Sequence, residues 1–344
     1  MRRTIKASLI AGFLVVALVG VVIGVAFYLA PARQQSSQTK KTKPPSEPAT
    51  WEEVTPGQGK GTPPSFAQPG EDGPWNHRVE IASSSDGFTF TKDGVILSDQ
   101  ASVPDAILDK AGKIRVYYVD WKNRGLTVAV QRNGNKYKFY RVKVRDLKSE
   151  ENGVQLVDPD VVLLPDGRYR LYGVSSKPQG QPGDPGRSNG TNQILSAISS
   201  DGVLFELENG ARHQENMATD PDVVKTAGGW HMFFSLGPDL VSLMSKDGLT
   251  FGNQLDVSLG GSVGTTLPVD GRFRLYYHVG IESGLNIHSA ISTDLVSWQE
   301  EPGVRLEGGG DPAPVKLPDG TYKMFYKTLI EPMTQRQPPL PPPR

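Results

Sequence analysis

The 344-residue chain contains no cysteine. That excludes disulfides, thiolate metal sites, a cysteine nucleophile and a lipid-modified cysteine anchor. Neither sign of charge is in surplus, because 37 basic residues balance 37 acidic ones. A nucleic-acid binder normally carries a basic excess, so nucleic acid is set aside as a partner. Long apolar runs are missing too, with one exception at the start of the chain. What the chain has in quantity is glycine (38) and proline (28), the residues of many turns.

The exception follows the basic stretch MRRTIK. From Ala7 to Ala30, 24 consecutive residues carry no charge. A bilayer core needs about 20 apolar residues as helix, and a secretory signal has a shorter apolar region. Residues 1–30 are therefore expected to be a short cytoplasmic stub and a single transmembrane anchor, with the main domain outside the cytoplasm. The competing reading is a cleaved signal at Ala30-Pro31-Ala32 and a secreted protein. Residues 31–75 contain KKTKPPSEP, TPGQGKGTPPS and QPGEDGP. So few large apolar side chains cannot offset the entropy of ordering, which predicts a disordered linker. Residues 331–344 form a second proline-rich tail.

Residues 76–330 carry the fold, and they repeat. Five aromatic strands recur: KIRVYYVD (113–120), RYRLYGVS (168–175), GWHMFFSL (229–236), RFRLYYHV (272–279) and TYKMFYKT (321–328). Each follows a glycine turn and a short apolar strand, the pattern of a hairpin. A second unit recurs as ILSAISSDGVLFE (194–206), LVSLMSKDGLTFG (240–252) and IHSAISTDLVSWQ (287–299). A degenerate copy lies at 126–139 and an N-terminal copy at 79–91. Joined, the two units make four antiparallel strands, one propeller blade. The N-terminal copy lacks an aromatic hairpin and the C-terminal hairpin lacks a second unit, so the two should complete one blade and close the ring. The predicted fold is an all-β, five-bladed β-propeller preceded by one transmembrane helix and a disordered linker. A six-bladed ring or a β-sandwich is the competing fold.

Acidic residues recur in register on the first strand of each blade. Seven residues before the turn glycine stand Asp105, Asp160, Asp222, Gly264 and Ala313; nine before it stand Val103, Asp158, Asp220, Ser262 and Asp311. Positions two apart share a face of a strand. In a propeller that strand lines the central channel, so carboxylates from several blades should converge there. Such a cluster persists when a cation, a shared proton or a ligand hydroxyl compensates it. Converging oxygen ligands would suit Ca2+. Asp86, Asp201, Asp247 and Asp294 of the Ser-x-Asp turns are expected instead to bond turn backbone, with Phe90, Phe205, Phe251 and Trp298 packed between blades. His278 and His231 on aromatic strands are expected in the core or channel, and Glu282 in a loop near its mouth.

The units DPDVV…DGRYRLYG, SAISSDG and STDLVSW resemble the five-bladed propeller glycosidases, the arabinanase, levansucrase and invertase superfamily with glycoside hydrolase families 43, 32 and 130. The resemblance spans about residues 78–328. It implies a carbohydrate substrate or ligand and a set of carboxylates from different blades at the channel. Carried over by position, it implies catalytic roles for Asp105, Asp160 and Asp222 and sugar binding by Asp158, Asp220, Asp311 and His278. The chain departs from the pattern twice. Val103 stands where the first blade should have an aspartate before proline, and the fourth blade reads GSVGTTLP, without the acid glutamate. A binding propeller that has lost catalysis, or a protein-interaction propeller, is the alternative.

Overall fold

The computed structural model describes residues 51–65, 67, 73–145, 147, 155–176, 191–280 and 284–332. The predicted membrane span, residues 31–50 of the predicted 31–75 linker, Glu282 and the tail beyond Pro332 lie outside the described residues. Among the described residues no helix is long and apolar enough to cross a membrane.

Five sheets of four to six strands follow one another along the chain. Blade I begins with the inner strand Ala101–Leu108, blade II with Gln155–Leu163, blade III with Ala218–Thr226, blade IV with Ser262–Val269 and blade V with Gly310–Lys316. In every blade the next strand is aromatic and pairs antiparallel with the inner one. Blade V is completed by His77–Ser84, which pairs with Tyr322–Leu329 and then with Thr91–Asp99. The two ends of the repeat array thus share a sheet, and the predicted ring closure is observed.

The apolar core is divided among the seams. One cluster joins Tyr117 and Val128 of blade I to Leu171 and Phe205 of blade II. Equivalent clusters fill the other four seams, the last joining Tyr276 and Ile287 to Met324 and Ala82. No blade buries both faces alone, so stability belongs to the ring.

A polar clamp fastens three of these seams. Tyr117 Oη donates to Gly202 O (2.9 Å) and Arg115 Nη1 to Asp201 O (2.6 Å) on the next blade. Tyr172 donates to Gly248 O (2.8 Å) and Arg170 lies against Asp247 O. Tyr276 donates to Gly87 O (2.6 Å) and Arg274 to the same oxygen (3.1 Å). The receiving turns are the three Ser-x-Asp-Gly sequences. Their aspartates accept turn N–H groups as expected; Asp201 Oδ1 takes those of Val203 and Leu204. Where the turn departs from this sequence, so does the clamp. Blade III offers His231 and Phe233 to a turn with Leu295 in place of glycine, and Phe233 stacks edge-on with Trp298 at 5.6 Å. Blade V offers Lys323 and Phe325 to the degenerate blade I turn, and Lys323 bonds Ser83 and Asp93 instead. His231 therefore belongs to a seam and not to the channel.

Residues 51–65 depart from the linker expectation. Glu53–Val54 adds a strand to the outer edge of blade I. Trp51 packs on Tyr140 and donates to Asp201. Farther on, Trp121 Nε1 donates to Thr62 O and its ring meets Trp75. Two tryptophans supply apolar area that a count of small and polar residues underweights.

Candidate functional site

Every inner strand bulges at the same place. Val103, Asp158, Asp220, Val263 and Asp311 all have left-handed backbone, with φ between 46° and 53°, and the pairing register shifts there in all five blades. Aspartate tolerates this region and valine does so poorly. The bulge lets an inner strand present residues on both sides of the proline to the channel. Two stacked rings result. One ring holds Val103, Asp158, Asp220, Val263 and Asp311; the other holds Asp105, Asp160, Asp222, Thr265 and Ala313.

Blade IV corrects the glycine-based register. Its hairpin is a tight two-residue turn, Asp270-Gly271, with Val269 paired to Arg272. Blades I, II and V have five residues between the paired ends, such as Leu108 and Ile114. Counting back from Gly271 therefore goes one residue too far, and the ring positions are Val263 and Thr265, not Ser262 and Gly264.

The ring of Asp105, Asp160 and Asp222 bonds across the seams. Asp105 Oδ2 accepts Val161 N–H (2.8 Å), Asp160 Oδ2 accepts Val223 N–H (3.2 Å) and Asp222 Oδ2 accepts Thr266 N–H (3.1 Å). Each carboxyl thus staples its blade to the next, one residue beyond the equivalent position. The staples stop at blade IV, where Thr265 replaces the acid. All three aspartates are buried. Burial pushes the Asp105 and Asp222 carboxyls up to about 7, against their bonds to backbone N–H. Asp160 is raised well above the usual range by burial and by the charges of Asp105 and Asp222 on either side.

The other ring is built differently. Asp158 and Asp220 are half-buried, whereas Asp311 is 2 % exposed. Lys327 Nζ lies 3.0 Å from Asp311 Oδ2, and His278 Nδ1 lies 3.2 Å from Oδ1. His278 Nε2 is 3.3 Å from Ser262 Oγ. Burial alone would raise Asp311, but Lys327 and His278 hold it far below the usual carboxylate range. Asp220 moves the opposite way, to about 6, through burial and the charge of Asp311. Asp158 is raised well above the usual range by burial and by Asp220 and Asp311. Lys327 is the residue that the sequence reading missed.

Between the rings lies a cavity of about 20 Å3, lined by Asp105, Asp158, Asp160, Asp220 and Asp311 with the strand prolines. That is room for one water. The structure thus brings Asp105, Asp158, Asp160, Asp220 and Asp311 to one chamber; Asp222 lines the wider mouth beyond it. Among the described residues no three His, Asp or Glu side chains are grouped to hold a metal. One oxygen of each of Asp105, Asp160 and Asp222 accepts a backbone N–H, and both oxygens of Asp311 face Lys327 or His278.

Solved structures similar in fold include glycoside hydrolases. A thermostable family-43 glycoside hydrolase superposes with TM-score 0.52 at 12% identity, over 69% of this chain and 95% of its own. An endo-1,4-β-xylanase from Bacteroides thetaiotaomicron VPI-5482 superposes with TM-score 0.52 at 16% identity, over 66% and 84%. A family-43 β-xylosidase/α-arabinofuranosidase from a compost microbial metagenome, solved with xylotriose, gives 0.50 at 16%, over 65% and 84%. The chain has the fold of the family-43 glycoside hydrolases. At these identities the likeness is one of fold. No family model matches the sequence, and no curated protein matches it significantly.

Proposed function

We propose that the family-43-like propeller is a carbohydrate-active domain that hydrolyses a glycosidic bond at the mouth formed by Asp158, Asp220 and Asp311. The observation that carries this is a contrast between neighbours. Lys327 and His278 keep Asp311 ionised, while burial and Asp311 itself lift Asp220 to about 6. Carboxyls whose environments pull them apart are how glycosidases obtain an acid and a base at one pH. The one-water chamber behind them suits a hydrolytic reaction. Asp220, lifted to about 6, keeps its proton in mildly acidic solution and would donate it there to the leaving oxygen. Asp311, held ionised, would accept the proton of the water as that water's oxygen bonds the anomeric carbon and the glycosidic bond breaks, and Asp158 would bind a sugar hydroxyl. The stapling ring of Asp105, Asp160 and Asp222 holds the blades in register beneath them. The uncharged run 7–30 would anchor the chain, with the propeller outside the cytoplasm.

The test is a panel of chromogenic glycosides and plant and microbial glycans offered to the full chain in detergent. Turnover should fall about 10²–10⁴-fold in Asp220→Asn, the scale of lost general acid catalysis, and far less in Asp105→Asn. Turnover indifferent to both Asp220→Asn and Asp311→Asn sinks the assignment. Glycan binding without turnover would favour the non-catalytic reading, which the acid-free Val263 and Thr265 of blade IV already suit.

A further inference from the structure

The channel has a second mouth. At the hairpin end of the inner strands it widens into a funnel of about 610 Å3, within the size range of small-molecule sites. Its walls are apolar and come from several blades: Ile107, Leu163, Val224, Leu267 and Phe273. Its floor is polar and consists of Asp105, Asp160, Asp222 and Thr266. Thr266 is 6 % exposed, and its hydroxyl sits beside the Asp222 carboxyl without a well-formed hydrogen bond. No cation faces this floor among the described residues that line it. The channel's Lys327 and His278 are paired with Asp311 in the other ring. At the rim, Lys225 lies over the Trp230 ring and Lys316 pairs with Asp270.

We propose that this funnel is a binding site for a small amphipathic amine, distinct from the mouth assigned to carbohydrate. The apolar body fills the walls. The ammonium reaches the floor, where it donates to the aspartate oxygens and to Thr266 Oγ1. Carboxyls gathered at the bottom of an apolar funnel gain most from a positive charge, because little water reaches them. A neutral tip gives up that gain, and an anionic tip is repelled. The inference does not rest on glycosidase activity.

Calorimetric titration of the full chain with 4-butylbenzylamine and with 4-butylbenzyl alcohol tests it. The amine should bind roughly tenfold or more tightly than the alcohol, a difference of about 1.4 kcal/mol. Asp160→Asn should remove most of that preference. Leu163→Arg and Ile107→Arg, two wall positions checked separately for folding by thermal melts, should abolish binding of both probes. Equal affinity for amine and alcohol overturns the proposal. So does undetectable binding of the amine at millimolar concentration, or binding that survives both wall substitutions.

Discussion

Lys327 stands two residues past Phe325, at the place where blades I and II have Val119 and Val174 and blade IV has His278. Position alone makes it a channel residue, and chemistry makes it the counter-ion of Asp311. Removing one member of a buried pair strands the other. Lys327→Met should therefore cost about 3–5 kcal/mol, and the double variant with Asp311→Asn should recover most of it. Urea unfolding of the single and double variants measures this. The stapling aspartates give the opposite signature. Asp105 and Asp222 have folded values near 7 against about 3.9 when unfolded. The folded state then holds protons that the unfolded state has lost. Their contribution is fully present below about pH 4 and declines as pH rises towards 7. Melting temperature should fall across that window, and Asp105→Asn should flatten the slope, since an amide oxygen still accepts the Val161 N–H. The doublets themselves were legible in the sequence. Their division of labour was not, because the same two letters around a proline serve as staple on one side and as solvent-facing acid on the other.

The hairpin and the turn after it are the elements that repeat, and they vary together. Arg-x-Tyr on one blade meets Ser-x-Asp-Gly on the next; where one is lost, so is the other. The turn glycines are required. Gly202 has φ of 74°, and a Cβ there would stand 2.7 Å from Tyr117 Oη. Tyr276→Phe should lose about 1 kcal/mol, one buried hydrogen bond. Gly202→Ala should lose more, from backbone strain and the close approach to Tyr117. Phe233→Tyr should gain nothing, because the facing turn has no Ser-x-Asp-Gly sequence. Chemical denaturation of these three variants checks the scheme. Strand positions could be predicted because aromatic alternation marks a half-buried strand in any blade. The one-residue slip in blade IV could not, because Asp-Gly fits both a two-residue and a five-residue connection. The bulges were also hidden, since valine at Val103 and Val263 gives no hint of left-handed backbone.

At the scale of the molecule, five seam clusters and one shared blade make a closed ring. Closure should make unfolding cooperative, with a single calorimetric transition. The segment 51–65 lies outside that ring yet adds to it. Deleting residues up to Pro64 should lower the melting temperature while leaving the transition single, as the loss of Trp51 on Tyr140 and of the Glu53–Val54 strand implies. Truncation through Ser84 should leave no folded domain at all. Two transitions in the intact chain would count against this picture.

Ring closure also sets an order in time. His77–Ser84 is made some 240 residues before Tyr322, the first residue of its partner strand. Until then the strand has an open edge, and open edges recruit other chains. A nascent chain that stalls between blades IV and V is therefore the species most exposed to aggregation. A factor that shields one strand, His77–Ser84, would guard the whole assembly line.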